Sequence, residues 1–85
     1  MIVSFRHKGL ELLYRTGSAK GVQAPHAAKL RRILGLLDVA NGPADVNLPK
    51  GDMKGHWSVW VNGNWRVTFR FVGADVELVD YRDYH

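Results

Sequence analysis

Hydrophobic and polar positions alternate most cleanly from His56 to Phe71, HWSVWVNGNWRVTFRF, where aromatic and β-branched residues interleave with polar ones on both sides of Asn62-Gly63-Asn64. This pattern predicts a β-hairpin. A two-residue loop at Asn62-Gly63 would set Val59 opposite Arg66 and mix the faces. A three-residue loop instead pairs Val61 with Trp65, Val59 with Val67 and Trp57 with Phe69, which gathers one wholly apolar face. The opposite face then carries His56, Ser58 and Trp60 on the first strand and Arg66, Thr68 and Arg70 on the second. Upstream the period lengthens. Leu10, Leu13 and Tyr14 keep helical spacing between Lys8 and Thr16, and Gly17 is a natural C-terminal cap. Ala27, Leu30, Ile33, Leu34, Leu37 and Ala40 form the stripe of a second helix, opened at Pro25 and closed by Asn41-Gly42-Pro43, which should cover the sheet.

The remaining segments read less sharply. Ile2, Val3 and Phe5 predict a short first strand. Val76 to Tyr81 predict a final strand after a turn at Gly73-Ala74-Asp75, with Val76 and Leu78 on one face and Glu77, Val79 and Tyr81 on the other. Between the second helix and the hairpin, Ala44 to Gly55 has little periodicity and holds Pro49, Gly51 and Gly55, so a loop or a ragged edge strand is expected.

Size and charge narrow the picture. The 85 residues make a single domain, 1–85, with a thin core. Twelve Lys and Arg against eight Asp and Glu leave a formal net charge of +4, and the pI near 9.8 favours an anionic partner, RNA first and an acidic protein surface second. With no Cys there is neither a disulfide framework nor a cysteine-ligated zinc site, which suits a reducing cytosol. Met1 to Arg6 is too short and too soon charged for a signal peptide. No apolar run approaches the ~20 residues that span a bilayer, so a cytoplasmic protein with no membrane contact is expected. Neither a glycine-rich phosphate loop nor a His-Glu-x-x-His pattern is present, and no cofactor or metal is expected.

Candidate chemistry collects in two places. The polar face of the hairpin offers Arg66, Arg70 and Trp60, cations and an indole that suit a phosphate-bearing ligand. The chain ends on Asp83, Tyr84 and His85, a carboxylate, a phenol and an imidazole. RNA can be cut without a metal if a base takes the 2′-hydroxyl proton, an acid protonates the leaving 5′-oxygen and a cation such as Arg66 or Arg70 holds the phosphate. Each residue also has a plainer reading. Terminal residues fray, a sheet arginine buries its stem against neighbours, and an exposed Trp60 serves a protein interface as well as a nucleobase. Lys50, Asp52 and Lys54 are placed to flank a groove, whereas Lys29, Arg31 and Arg32 read as a solvated helix face or a weak attraction for RNA. His56 reads as an edge residue, and Trp57 and Trp65 as core.

Several stretches together carry a resemblance: Met1-Ile2-Val3-Ser4-Phe5, His7 to Tyr14 (HKGLELLY), Lys50-Gly51-Asp52 running to Trp57-Ser58-Val59, Asn64 to Phe69 (NWRVTF) and the ending Asp83-Tyr84-His85. Over essentially its whole length the chain resembles the HigB branch of the RelE/ParE toxin superfamily. The resemblance implies an α+β, RelE-like fold, two N-terminal helices packed on a small, curved, mainly antiparallel sheet. It implies a ribosome-dependent endoribonuclease that cuts messenger RNA in the A site of the 70S ribosome, silenced by a HigA-type helix-turn-helix antitoxin and meeting operator DNA only through the complex with it. Arg66 would stabilise the scissile phosphate, Asp83, Tyr84 and His85 would form the carboxy-terminal part of the catalytic site, and Lys50 would lie near the substrate, with Lys54, Trp60 and Arg70 as further substrate-binding candidates.

One family feature is missing. Members of this branch usually carry a histidine in a Leu-His-Pro-Leu run before Lys-Gly-Asp, but here Asn47-Leu48-Pro49 runs straight into Lys50-Gly51-Asp52. Three explanations stand: a naturally shorter loop with His85 or His56 supplying the base, an inactive toxin, or a loop from which several residues are missing between Pro49 and Lys50, the expectation carried forward. Two other functions compete with the nuclease: a toxin on the same scaffold that inhibits DNA gyrase or the ribosome by binding alone, and a basic RNA-binding domain whose affinity would fall steeply with salt.

Overall fold

The computed structural model describes residues 1–42 and 55–83. Its elements, in chain order, are helix α1 (Lys8–Thr16), a single 3-10 turn (Ala24–His26), helix α2 (Ala27–Val39) and strands β1 (Trp57–Asn62), β2 (Trp65–Val72) and β3 (Asp75–Asp83). The strands form one antiparallel sheet in the order β1-β2-β3. Two helices on a three-stranded antiparallel sheet are the α+β arrangement expected. The first strand, however, reduces to two isolated parallel bridges to β3, Ile2 with Val76 and Phe5 with Val79.

The end of α1 at Gly17 is as the sequence suggests, whereas Pro25 falls in the 3-10 turn ahead of α2 rather than in its first turn. The His7 Nδ1 accepts the Leu10 N–H at 3.1 Å, and the Gly17 N–H donates to the Leu13 carbonyl at 2.9 Å. The predicted stripe is buried at all six positions, Ala27, Leu30, Ile33, Leu34 and Leu37 in α2 and Ala40 just past its end. It covers a sheet face that includes Val61, Val67, Phe69, Val76 and Val79, and Phe69, Val67, Val76, Val79, Leu10, Leu30 and Leu37 are shut off from water. Burial of these side chains is the main favourable term in the fold. The 17–23 connector passes α1 through two glycines. A Cβ on Gly9 would lie 2.6 Å from the Gly21 carbonyl carbon, and one on Gly21 would press on the Gly9 Cα, so neither position tolerates a side chain without moving backbone.

Two irregularities change the predicted register. In the hairpin, Trp57 pairs with Phe69 and Val59 with Val67 as expected, but Asn62, not Val61, lies opposite Trp65. Val61 is the extra residue of a bulge in β1, and the loop shrinks to Gly63-Asn64, with Gly63 at φ +56 in the first central position, where a type II′ turn needs it. In β3, Leu78 and Val79 together oppose Phe69, and Leu78 adopts φ +55. This is the bulge geometry that ordinarily takes glycine, and it is held by the Ser4 hydroxyl, which accepts the Leu78 N–H at 2.9 Å. The extra residue shifts the alternation. Val76, Val79 and Tyr81 are all buried, so the expectation that Val76 and Leu78 share a face against Val79 and Tyr81 is corrected.

Asp38 fastens the helices to the amino-terminal segment. Its Oδ1 accepts the Tyr14 hydroxyl at 2.7 Å and the Ile2 N–H at 3.2 Å. The Tyr14 bond, then the Ile2 bond, holds the carboxyl below its ordinary range, and the same bond raises the Tyr14 phenol. Because the folded value is depressed, the stabilisation is present above the unfolded value of about 4 and is lost as pH falls through the folded one. Asp38→Asn is therefore expected to lower the melting temperature at neutral pH, and the gap to the parent protein to close as the buffer is taken below about pH 4. A gap independent of pH would show that the ionised carboxylate is not what the tyrosine and the amide are holding.

Candidate functional site

The face of the sheet turned away from α2 is ordered in rows by the strand register. One row runs Trp60, Arg66, Arg82 across β1, β2 and β3; the next runs Ser58, Thr68, Asp80; beyond the β3 bulge Arg70 faces Glu77. Directly opposed side chains share a face, so each row lies on one side of the sheet.

The first row is tied to the hairpin tip. Arg66, half-buried, donates from Nη1 to the Gly63 carbonyl at 3.3 Å and to the Trp65 carbonyl at 3.2 Å. The Trp60 indole is 52 % exposed and donates to the same Gly63 carbonyl at 3.0 Å, so one turn oxygen orients both the cation and the ring. Lys29 reaches from α2 to bring its Nζ to 4.4 Å from the Trp60 ring centroid, a cation–π contact. Arg66 and Arg82 face one another across the strand pair. Two cationic positions directly opposed in the register make this end of the sheet positively charged, which suits a phosphate.

Other predicted residues fall less neatly. Arg70 lies four residues along β2 from Arg66, roughly 13 Å away, and its Nη2 stands 3.8 Å from Glu77 Oε1, so part of its charge is answered within the sheet. Asp83 is exposed and lies opposite Trp65, at the same end of the sheet as Arg66 but in phase with the other face. The structure thus brings Arg66 and Asp83 one register step apart without setting them in one row. Tyr84, His85, Lys50 and Lys54 lie outside the described residues, as does the Pro49–Lys50 junction. Thr68, expected on an open polar face, is 3 % exposed, between half-buried Ser58 and Asp80.

Beneath this row, on the inner face, four rings meet. Tyr81 stacks on Trp65 with centroids 4.4 Å apart and an angle of 27°, touches the His7 ring edge-on at 5.2 Å, and shares a short hydrogen bond with Nδ1 of His26. His26 also meets Trp65 edge-on at 5.8 Å. Burial pushes the Tyr81 phenol above its ordinary value; the Gln23 backbone N–H partly offsets this, and Asp83 adds to it. Sequence reasoning missed this cluster and missed Arg82, because both depend on the phase of β3 after its bulge. It also left Lys29 without the ring that holds it.

Among the described residues, no three or more His, Asp or Glu side chains gather as a metal site, and no helix is long and apolar enough to cross a membrane. A groove of about 210 Å³ lined by Leu13, Tyr14, Arg31, Leu34, Gly35 and Asp38 lies between the two helices, not on the face carrying Arg66.

Two comparisons bear on this arrangement. Residues 3–85 match the model of a family described as RelE-like toxin of type II toxin-antitoxin system HigB. The chain is also similar to the Endoribonuclease HigB of Proteus vulgaris, with 39 % identity over 92 residues that take in the whole of both chains. That comparison is seven positions longer than the 85-residue chain, so the relative has residues to which nothing here corresponds.

Proposed function

Since the chain belongs to the HigB-like family of RelE-like type II toxins, we propose that it is an endoribonuclease that acts as a single 1–85 domain on messenger RNA in the ribosomal A site, by acid-base chemistry at Arg66 and the carboxy-terminal tail. A type II toxin has an antitoxin partner, and the partner inferred here is a HigA-type helix-turn-helix protein through which the complex reaches its operator DNA. The site of action is the cytoplasm, where translating ribosomes are.

The observation that carries the reading is the row Trp60, Arg66, Arg82, which ends at the same edge of the sheet as Asp83. Cleavage follows from attack of the 2′-oxygen on the adjacent phosphorus. A base removes the 2′-hydroxyl proton, the P–O5′ bond breaks as the new P–O2′ bond forms, and an acid protonates the departing 5′-oxygen. Products are a 2′,3′-cyclic phosphate and a 5′-hydroxyl. Arg66 supplies positive charge where negative charge grows on the non-bridging oxygens, and Trp60 and Arg70, with Lys50 and Lys54, hold the flanking nucleotides. Proton transfer falls to Asp83, Tyr84 and His85. Mapping message ends after brief expression tests the assignment: cuts inside codons at the A site are expected. Intact messages with altered DNA supercoiling would replace the nuclease with a gyrase inhibitor.

A further inference from the structure

Tyr81 is the last buried side chain of β3 before the tail. On the outer edge of that strand, the amino-terminal segment reaches as far as Val79, whose carbonyl takes the Arg6 N–H at 2.8 Å and the His7 N–H at 3.4 Å. The pairing of Asp80 to Asp83 that follows is with β2, through Thr68, Val67, Arg66 and Trp65. What holds this final stretch down onto the core is Tyr81, 5 % exposed, bonded to a His26 that is 7 % exposed.

The Tyr81 hydroxyl and the His26 Nδ1 are bonded to each other between two side chains that are both nearly shut off from water. Trp65 closes over one face of the phenol and His7 meets it edge-on, so the hydroxyl is shielded from competing water. Two ends of the chain's ordering meet here: the entry of α2, at residues 23 to 26, and the exit of β3.

We propose that the Tyr81–His26 hydrogen bond, closed over by the Trp65 ring, fixes the end of β3 so that Asp83 is held in the position that cleavage requires. Tyr81 and His26 are positioning residues, with no contact to RNA of their own. The inference rests on the reading of the tail as catalytic.

The test uses Tyr81→Phe, which keeps the stacked ring, His26→Leu, their combination, and His26→Gln, whose side-chain amide can still bond the hydroxyl. Amide hydrogen exchange is measured at Arg82 and Asp83 against Val67 to Phe71, alongside cleavage on programmed ribosomes at saturating and limiting ribosome concentration. Exchange at Arg82 and Asp83 is expected to quicken about tenfold in Tyr81→Phe and His26→Leu, the scale of one net hydrogen bond, while β2 is unchanged. The saturating cleavage rate should fall by a similar factor with half-saturation unmoved, the double variant should be no worse than either single one, and His26→Gln should recover most of both. Unchanged exchange, or losses that multiply in the double variant, would overturn the anchor. Quickened exchange with an undiminished cleavage rate would overturn its role in the reaction. A parent protein that cuts nothing would sink the nuclease reading and not the anchor, which the exchange measurement judges separately.

Discussion

Arg66→Ala is expected to lower the rate of message cleavage on saturated ribosomes about 10²- to 10³-fold, the loss typical when one preorganised donor to a developing oxyanion is removed. Arg66 has its Nη1 held by two carbonyls at the hairpin tip, Gly63 and Trp65, so its guanidinium is oriented before any substrate arrives. A charge already in place costs no reorganisation in the transition state. Arg66→Lys keeps the charge but loses the planar fork, and should recover only part of the rate. Because the side chain is half-buried and bonded to turn carbonyls rather than to the core, antitoxin binding and the melting temperature should change little. A variant that still cuts at the parent rate, alone or combined with His85→Ala, would remove these residues from the site.

Phe69→Ala is expected to cost about 3–5 kcal/mol of stability. The ring is fully buried, opposes the Leu78–Val79 bulge on one side and Trp57 on the other, and meets Phe71 edge-on at 5.6 Å. An 85-residue domain holds only roughly 4–13 kcal/mol in total. The melting temperature should therefore drop by about 12 °C or more, where the variant folds at all. A loss below about 1 kcal/mol in chemical denaturation would mean that the sheet and α2 do not close over this ring.

Much of the fold was legible because burial enforces parity. Val59 with Val67 and Trp57 with Phe69 could be paired from composition, since one slip would have put Arg66 in the core. The α2 stripe could be read for the same reason, its apolar positions recurring at the helical period and nowhere else on the helix so densely. What stayed hidden were the two bulges. At Val61 and Leu78 the sequence carries no glycine to mark an extra residue, and Leu78 takes a left-handed conformation because Ser4, 74 positions away, accepts its N–H. No local pattern records such a partner. The phase of β3, and with it the outward Arg82 and the inward Tyr81, followed from that one residue.

The candidate site was legible in part for a different reason. Arg66 and Trp60 stand out as polar interruptions of an apolar strand pair, and the register sets them opposite each other. Lys29 belongs to a helix face that looks solvated in sequence, and only the packing of α2 beside β1 brings it to the Trp60 ring. Asp83 was found from the tail motif, but its alternate phase to Arg66 depends again on the bulge.

The most direct measurement is the chemistry of the cut ends on purified ribosomes carrying a defined message with an empty A site. The account predicts a 2′,3′-cyclic phosphate and a 5′-hydroxyl within the A-site codon, formed by the parent protein and reduced at least about 10²-fold by Arg66→Ala. Ends bearing a 3′-hydroxyl and a 5′-phosphate, or equal cutting of the same message free in solution, would contradict it.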